Sequence, residues 1–155
     1  MLTSMQGQFN LPGISDEYAY LTKDITWGPS GLQIFLPALL SGAARDSGNS
    51  PTTYLRPGLL LGKITSSGKL TNWDPTATDG SQFIEGILVT DLNAQQLGSN
   101  VDRYVGVLKA GCVKAASLLI GGEANYGLSG KTNEYVARNL LRGNFMLDDA
   151  IHNVT

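Results

Sequence analysis

The stretch Leu59-Leu60-Leu61-Gly62-Lys63-Ile64-Thr65-Ser66-Ser67-Gly68-Lys69-Leu70-Thr71-Asn72-Trp73 decides the fold class. It opens on a compact apolar run. Thr65 to Gly68 carries the small polar residues of a turn, and Lys69 to Trp73 returns with alternating polarity. Two such runs joined by a short turn read as a β-hairpin. Asp74-Pro75 ends the return strand, and Asp79-Gly80 marks a second tight turn, because glycine accepts a positive φ. Ile84-Glu85-Gly86-Ile87-Leu88-Val89-Thr90 reads as a further strand, and its nearly unbroken apolar half predicts burial on both faces.

Working towards the C-terminus, Arg103–Lys109 and Cys112–Ile120 flank Ala110-Gly111, which predicts a second hairpin. Gly121 to Gly130 reads as a loop. Thr132 is placed to cap a short helix near residues 133–142, with Gly143 as its C′ residue. Val136 with Leu140, and Ala137 with Leu141, then form one apolar stripe at i,i+4 spacing.

The front of the chain differs. Pro12-Gly13, Gly28-Pro29, Ser30-Gly31 and Ser47-Gly48-Asn49-Ser50-Pro51 interrupt it at close intervals, as turns and irregular backbone do. Yet Phe9, Leu11, Ile14, Tyr18, Tyr20, Leu21, Ile25 and Trp27 make it too apolar and aromatic for a plain linker. Such a segment is expected to lie against a partner, with Phe9, Leu11, Ile14 and Tyr18 as anchors and backbone hydrogen bonds to an open sheet edge. In Leu32–Leu40, Pro37 would break a central strand, which predicts a short strand before it and a turn or loop after. The chain therefore divides into an N-terminal arm and irregular extension, residues 1–50, and a β-rich domain, residues 51–155. The fold class is mainly β with a short C-terminal helix, a small barrel-like or sandwich-like domain carrying an extended arm.

Composition narrows the function. Across 155 residues, 11 Lys+Arg against 13 Asp+Glu give a net charge of −2, without the basic excess of a protein that grips nucleic acid or anionic lipid. Charged residues make up 15%, below the ~25% of an ordinary soluble domain. Much of the surface is therefore expected to face something other than water in the working state. No apolar run approaches the ~18 residues of a membrane span. The N-terminus lacks the basic and apolar regions of a secretion signal, so synthesis in a reducing cytoplasm is expected.

The sequence carries few residues in chemically suggestive patterns. Cys112 and His152 are each the sole residue of their type, which provides neither a disulfide framework nor a zinc cluster. His152 lies at the end of the chain, a poor place for a pre-organised base. Gly130-Lys131-Thr132 resembles the end of a phosphate-binding loop, but Asn125 stands where that motif requires glycine. Trp27 and Trp73 have the type of side chain that stacks on a sugar or base, though a strand tryptophan more often packs in a core. Asp148 and Asp149 are adjacent and point to opposite sides of an extended chain. Asp74, Asp79 and Glu85 flank turns, and Asn153-Val154-Thr155 matches a glycosylation sequon without a secretion signal. No catalytic residue, metal ligand or cofactor is expected.

One set of spacings is more specific. Pro57-Gly58-Leu59-Leu60-Leu61-Gly62-Lys63-Ile64 is followed by Ser67-Gly68-Lys69-Leu70, Trp73-Asp74, Thr78-Asp79-Gly80 and Gly86-Ile87-Leu88-Val89. This order resembles the head decoration protein family of tailed bacteriophages, the group that includes the decoration protein of phage lambda. Val107-Leu108-Lys109-Ala110-Gly111-Cys112-Val113 resembles the family's next hairpin. The likeness covers roughly residues 55–120, and its motif positions are Gly58, Gly62, Gly68, Trp73, Asp79, Gly80 and Gly86. It implies a non-enzymatic cement protein that trimerises on the outside of the mature head at three-fold positions and binds the major capsid protein. The long region before Gly58 and the loop and helix after Ile120 depart from the family pattern. Three alternatives stand beside this reading: another virion module such as a head-fibre base or tail accessory, a nucleotide-binding enzyme using Lys131, and a carbohydrate-binding module using Trp73.

Overall fold

The computed structural model describes residues 25–26, 34–89 and 100–149. The anchors Phe9, Leu11, Ile14 and Tyr18, with Trp27 and His152, lie outside the described residues. Among the described residues seven strands follow in chain order: β1 Ile25–Thr26, β2 Ile34–Leu40, β3 Leu60–Lys63, β4 Leu70–Asn72, β5 Ile84–Leu88, β6 Arg103–Lys114 and β7 Phe145–Asp148. Among the described residues one helix, α1 Glu134–Leu141, precedes β7, and a 3₁₀ turn, Ala115–Ser117, follows β6.

The neighbours run β6-β2-β4-β3-β5, and β5 pairs again with β6, so five strands close into a barrel. Closure removes the free edges that an open sheet leaves exposed. The predicted hairpin is β3–β4, antiparallel, with Leu61 opposite Asn72 and Lys63 opposite Leu70. β5 lies on the other side of β3, with Leu60 opposite Ile87.

Strand side chains alternate between the two faces, and here each face has its own core. Leu61, Leu88, Val105 and Val107 point into the barrel with Leu40, Leu59 and Leu70. Leu60, Ile87 and Leu108 point outwards into a second layer, roofed by Ala137, Leu141, Leu128, Leu118 and Phe145. This double burial explains why Leu59-Leu60-Leu61 and Ile87-Leu88-Val89 are unbroken apolar runs. The helix stripe reduces to Ala137 and Leu141 with partly buried Leu140, while Val136 faces outwards.

Two sequence expectations are corrected. Ala110-Gly111 is not a hairpin turn: β6 runs through it as one strand of 12 residues. The strand changes partners there. Residues 103–110 pair with β2, and residues 111–114 pair with β7. Gly111 takes φ +143° at this junction, which lets one strand serve two sheets. β2 likewise passes through Pro37 to Leu40, with Pro37 opposite Gly106 of β6. Proline is admitted because β2 meets β4 only at Leu40–Leu70, so among the described residues Pro37 has a strand on one side alone.

The helix start differs in detail. Asn133, not Thr132, is the N-cap, without a side-chain cap bond. The Glu134 carboxylate instead accepts the Gly130 N–H at 2.8 Å.

Residues 34–57 pack with the barrel. Leu40, Ala44 and Leu55 join its inner core. Asp46 is fully buried (0% exposed) and receives the Arg56 guanidinium in a two-point contact, Nε at 2.6 Å and Nη2 at 3.0 Å. Arg56 also donates to the carbonyls of Ala124 and Glu123, at 2.6 and 2.9 Å. One side chain thus ties residues 46–56 to the Gly-rich loop 121–130. The Asp46 hydrogen bonds hold the Arg56 guanidinium more firmly protonated than usual.

Candidate functional site

The seven motif residues lie on β3 and β5 or in the turns and loops beside β3, β4 and β5. Trp73 is 2% exposed, and its indole Nε1 donates to the Gln82 carbonyl at 2.8 Å. Its backbone N–H donates to Leu60 at 2.9 Å. The indole is therefore core, and its faces are closed to a sugar or base. Asp79 accepts the Ser81 hydroxyl at 2.6 Å and the Ser81 N–H at 3.0 Å, and both hold its carboxyl below the ordinary aspartate range. Its carbonyl accepts from Thr65, fastening the loop to the end of β3.

Gly62 lies where this loop crosses β3. A Cβ there would stand 2.2 Å from the Ser81 carbonyl oxygen, closer than packed atoms allow. Gly58 donates to Leu88 at 2.7 Å and accepts from Leu119 at 2.9 Å, joining β5 to the segment after the 3₁₀ turn. Gly68 closes the β3–β4 turn with its N–H on Ile64 at 2.8 Å. Gly80 donates to the Gln82 side chain, and Gly86 sits opposite Leu61 on β5.

The remaining chemical candidates are occupied. Lys131 pairs with Glu123 at 3.3 Å, and the Gly130 N–H that would greet a phosphate already holds Glu134. Asp149 is engaged by Arg138 through both oxygens at 2.7 and 2.8 Å. Cys112 is buried. Among the described residues, no His/Cys/Asp/Glu cluster has metal-site geometry, and no helix is long and apolar enough to cross a membrane.

The surface is more informative than any pocket. Tyr104 is 75% exposed, and Leu36, Val101, Phe83, Tyr135 and Met146 are exposed as well. Tyr104 lies opposite Leu39, and Gly106 opposite the exposed Pro37, so one outer stretch of β2–β6 is apolar. Period-two alternation in Arg103-Tyr104-Val105-Gly106-Val107 carries that signal, since Val105 and Val107 face inwards. The exposed Met146 gives none, because its strand is short and its neighbours Phe145 and Leu147 are apolar too.

A small five-stranded β-barrel with a scaffolded loop and exposed apolar side chains defines a binding or assembly module. The family model described as bacteriophage lambda head decoration protein D matches residues 43–134, more than half of the chain. The chain belongs to that family, and membership gives it a role in decorating the phage head. No curated protein matches it. The matched span begins beyond β2 and ends at the first residue of α1, so β2, nearly all of α1 and β7 lie outside it.

Proposed function

We propose that this protein is a cement of the mature phage head. It is made in the host cytoplasm and binds the outer capsid surface as a homotrimer at three-fold positions. There it contacts the major capsid protein and stabilises the shell. The observation that carries this reading is the family match over residues 43–134. Two physical features support it. The chain is poor in charge for its size, and its described surface leaves large apolar groups such as Tyr104 in solvent, as expected where another protein covers them.

The arm supplies the second contact. Phe9, Leu11, Ile14 and Tyr18 anchor it to the shell, at an ordering cost of roughly 2–5 kcal/mol. Trimerisation offsets that cost, because once one arm docks the others face an effective concentration on the order of millimolar. No step of this function is catalytic, and it needs neither cofactor nor metal, nucleic acid nor membrane.

The test is co-sedimentation with expanded heads that lack their decoration protein. Saturable binding that raises the temperature at which heads release DNA supports the proposal. Binding to isolated tails and not to heads would assign the protein to a tail accessory role instead.

A further inference from the structure

We infer that Asp79-Gly80 is a latent isoaspartate site, held unreacted by Ser81 and Gln82, and that its conversion pushes the loop of residues 74–81 off β3. An aspartate followed by glycine isomerises through its own backbone, the Gly80 nitrogen attacking Asp79 Cγ. The N–C bond forms, the carboxyl C–OH bond breaks, and the amide proton leaves with the hydroxyl as one water. A second water then opens the succinimide ring. Opening at the main-chain carbonyl leaves the peptide link running through Cγ, longer by one methylene. Asp79-Gly80 is the one Asp-Gly pair in the chain, and the chain has no Asn-Gly pair.

The fold opposes each part of this reaction with a specific contact. The Gly80 N–H, whose nitrogen is the nucleophile, donates to Gln82 Oε1 at 2.8 Å. Asp79 Oδ1 accepts the Ser81 hydroxyl at 2.6 Å and the Ser81 N–H at 3.0 Å. Both bonds favour the charged carboxylate, whereas the group that leaves is the hydroxyl of the neutral acid. Turning Cγ onto the Gly80 nitrogen means breaking them. The backbone is pinned as well. The Asp79 carbonyl accepts from Thr65 at 2.8 Å, the Gly80 carbonyl from Phe83 at 3.3 Å, and the Gln82 carbonyl from the Trp73 indole at 2.8 Å. Gly80 itself lies so close to the Thr65 hydroxyl and the Lys63 carbonyl that a Cβ would overlap both. A reaction that needs this loop open runs at its intrinsic rate multiplied by the open fraction.

Conversion disturbs the barrel because the loop has no room for the added methylene. Where it crosses β3, the Ser81 carbonyl leaves no space even for a Cβ on Gly62. The lengthened link therefore displaces the loop outwards. The carboxylate that Ser81 holds becomes the new amide, so both of those bonds are lost. Neither the site nor its test depends on capsid binding.

The experiment incubates the full-length protein at physiological temperature, folded and in concentrated guanidinium chloride. Isoaspartate is read by labelling with an isoaspartate-specific methyltransferase, and peptide mapping places the label. The folded chain should label at residue 79 at least about tenfold more slowly than the unfolded one. Ser81→Ala and Gln82→Met, each checked for its fold by circular dichroism and thermal melting, should label about three- to tenfold faster than the unsubstituted protein, the scale of one lost hydrogen bond. Asp79→Glu, whose longer side chain does not close the five-membered ring, should carry no label there. Isomerised protein, separated by chromatography, should melt at a lower temperature. Equal labelling of folded and unfolded chains would overturn the proposal, as would folded variants that label no faster than the unsubstituted protein. Isomerised protein with an unchanged melting transition would overturn the displacement of the loop. Should a variant fail to fold, the comparison of folded with unfolded chain decides.

Discussion

Replacing Arg56 by alanine tests how the front of the described chain is fixed to the barrel. Asp46 is fully buried, and Arg56 supplies both of its side-chain hydrogen bonds, at 2.6 and 3.0 Å. The Arg56 backbone N–H, at 3.4 Å, is a long and weak third contact. Removing the guanidinium strands a carboxylate away from water and frees the carbonyls of Glu123 and Ala124. It also removes a cation from above the Tyr126 ring, where the separation is 5.8 Å. Breaking one partner of a buried ion pair costs about 3–5 kcal/mol. For a domain of this size, each kcal/mol moves the melting midpoint by roughly 2–4 °C, so the expected drop is on the order of 6–20 °C. Urea unfolding, with the slope m unchanged, measures it directly. Arg56→Lys keeps the charge but not the fork and should fall between the two. The double variant Asp46→Asn with Arg56→Ala should lose clearly less than the sum of the single losses. A loss below about 1 kcal/mol for Arg56→Ala, the scale of a surface pair, would refute the reasoning.

Gly62→Ala should destabilise by about 1–3 kcal/mol in urea, because its Cβ would press on the Ser81 carbonyl, a backbone atom that cannot rotate away. Gly68→Ala meets open space but must hold φ +71°, so roughly 1 kcal/mol of backbone strain is expected, and Gly68→Asn should recover part of it. Asp79, Asp102 and Glu134 all titrate below their usual values, held by Ser81, by Lys69 and by the Gly130 N–H respectively. A carboxylate with a depressed folded pKa stabilises above its unfolded pKa, and that stability is lost as pH falls through the folded one. The urea midpoint should therefore decline as pH drops below about 4, and Asp102→Asn should flatten the decline; a midpoint rising on acidification would contradict this. Deleting residues 1–20 should abolish head binding while leaving the melting transition of the barrel in place.

Much of the barrel is legible in the sequence because its signals are local. The β3–β4 hairpin follows from one apolar run, one Ser/Gly turn and one alternating return. The double burial of β5 is readable in Gly86-Ile87-Leu88-Val89, whose apolar run leaves no polar face. The misread positions depend on tertiary context. Pro37 forbids a strand only where both edges are paired, and among the described residues β2 pairs on one side there. Ala110-Gly111 has the composition of a turn, but β6 exchanges partners at that point, which no window around it reveals. The Asp46–Arg56 pair escapes pattern reading because its members are ordinary charged residues in a loop, and only the fold shows that one is buried. The seven motif residues stand out as a set through their spacing, while the contacts each one makes are visible only in the fold. Of the exposed apolar groups, Tyr104 is marked by the period-two alternation of residues 103–107, and Met146 is not. Exposed apolar groups such as Met146 become visible only when burial is known.

Cryo-electron microscopy of undecorated expanded heads, with and without added protein, tests the central claim most directly. New barrel-sized density is expected on the outer surface, three copies around each three-fold position, with none at the tail. Density confined to the portal or tail, or heads unchanged at saturating protein, would contradict it.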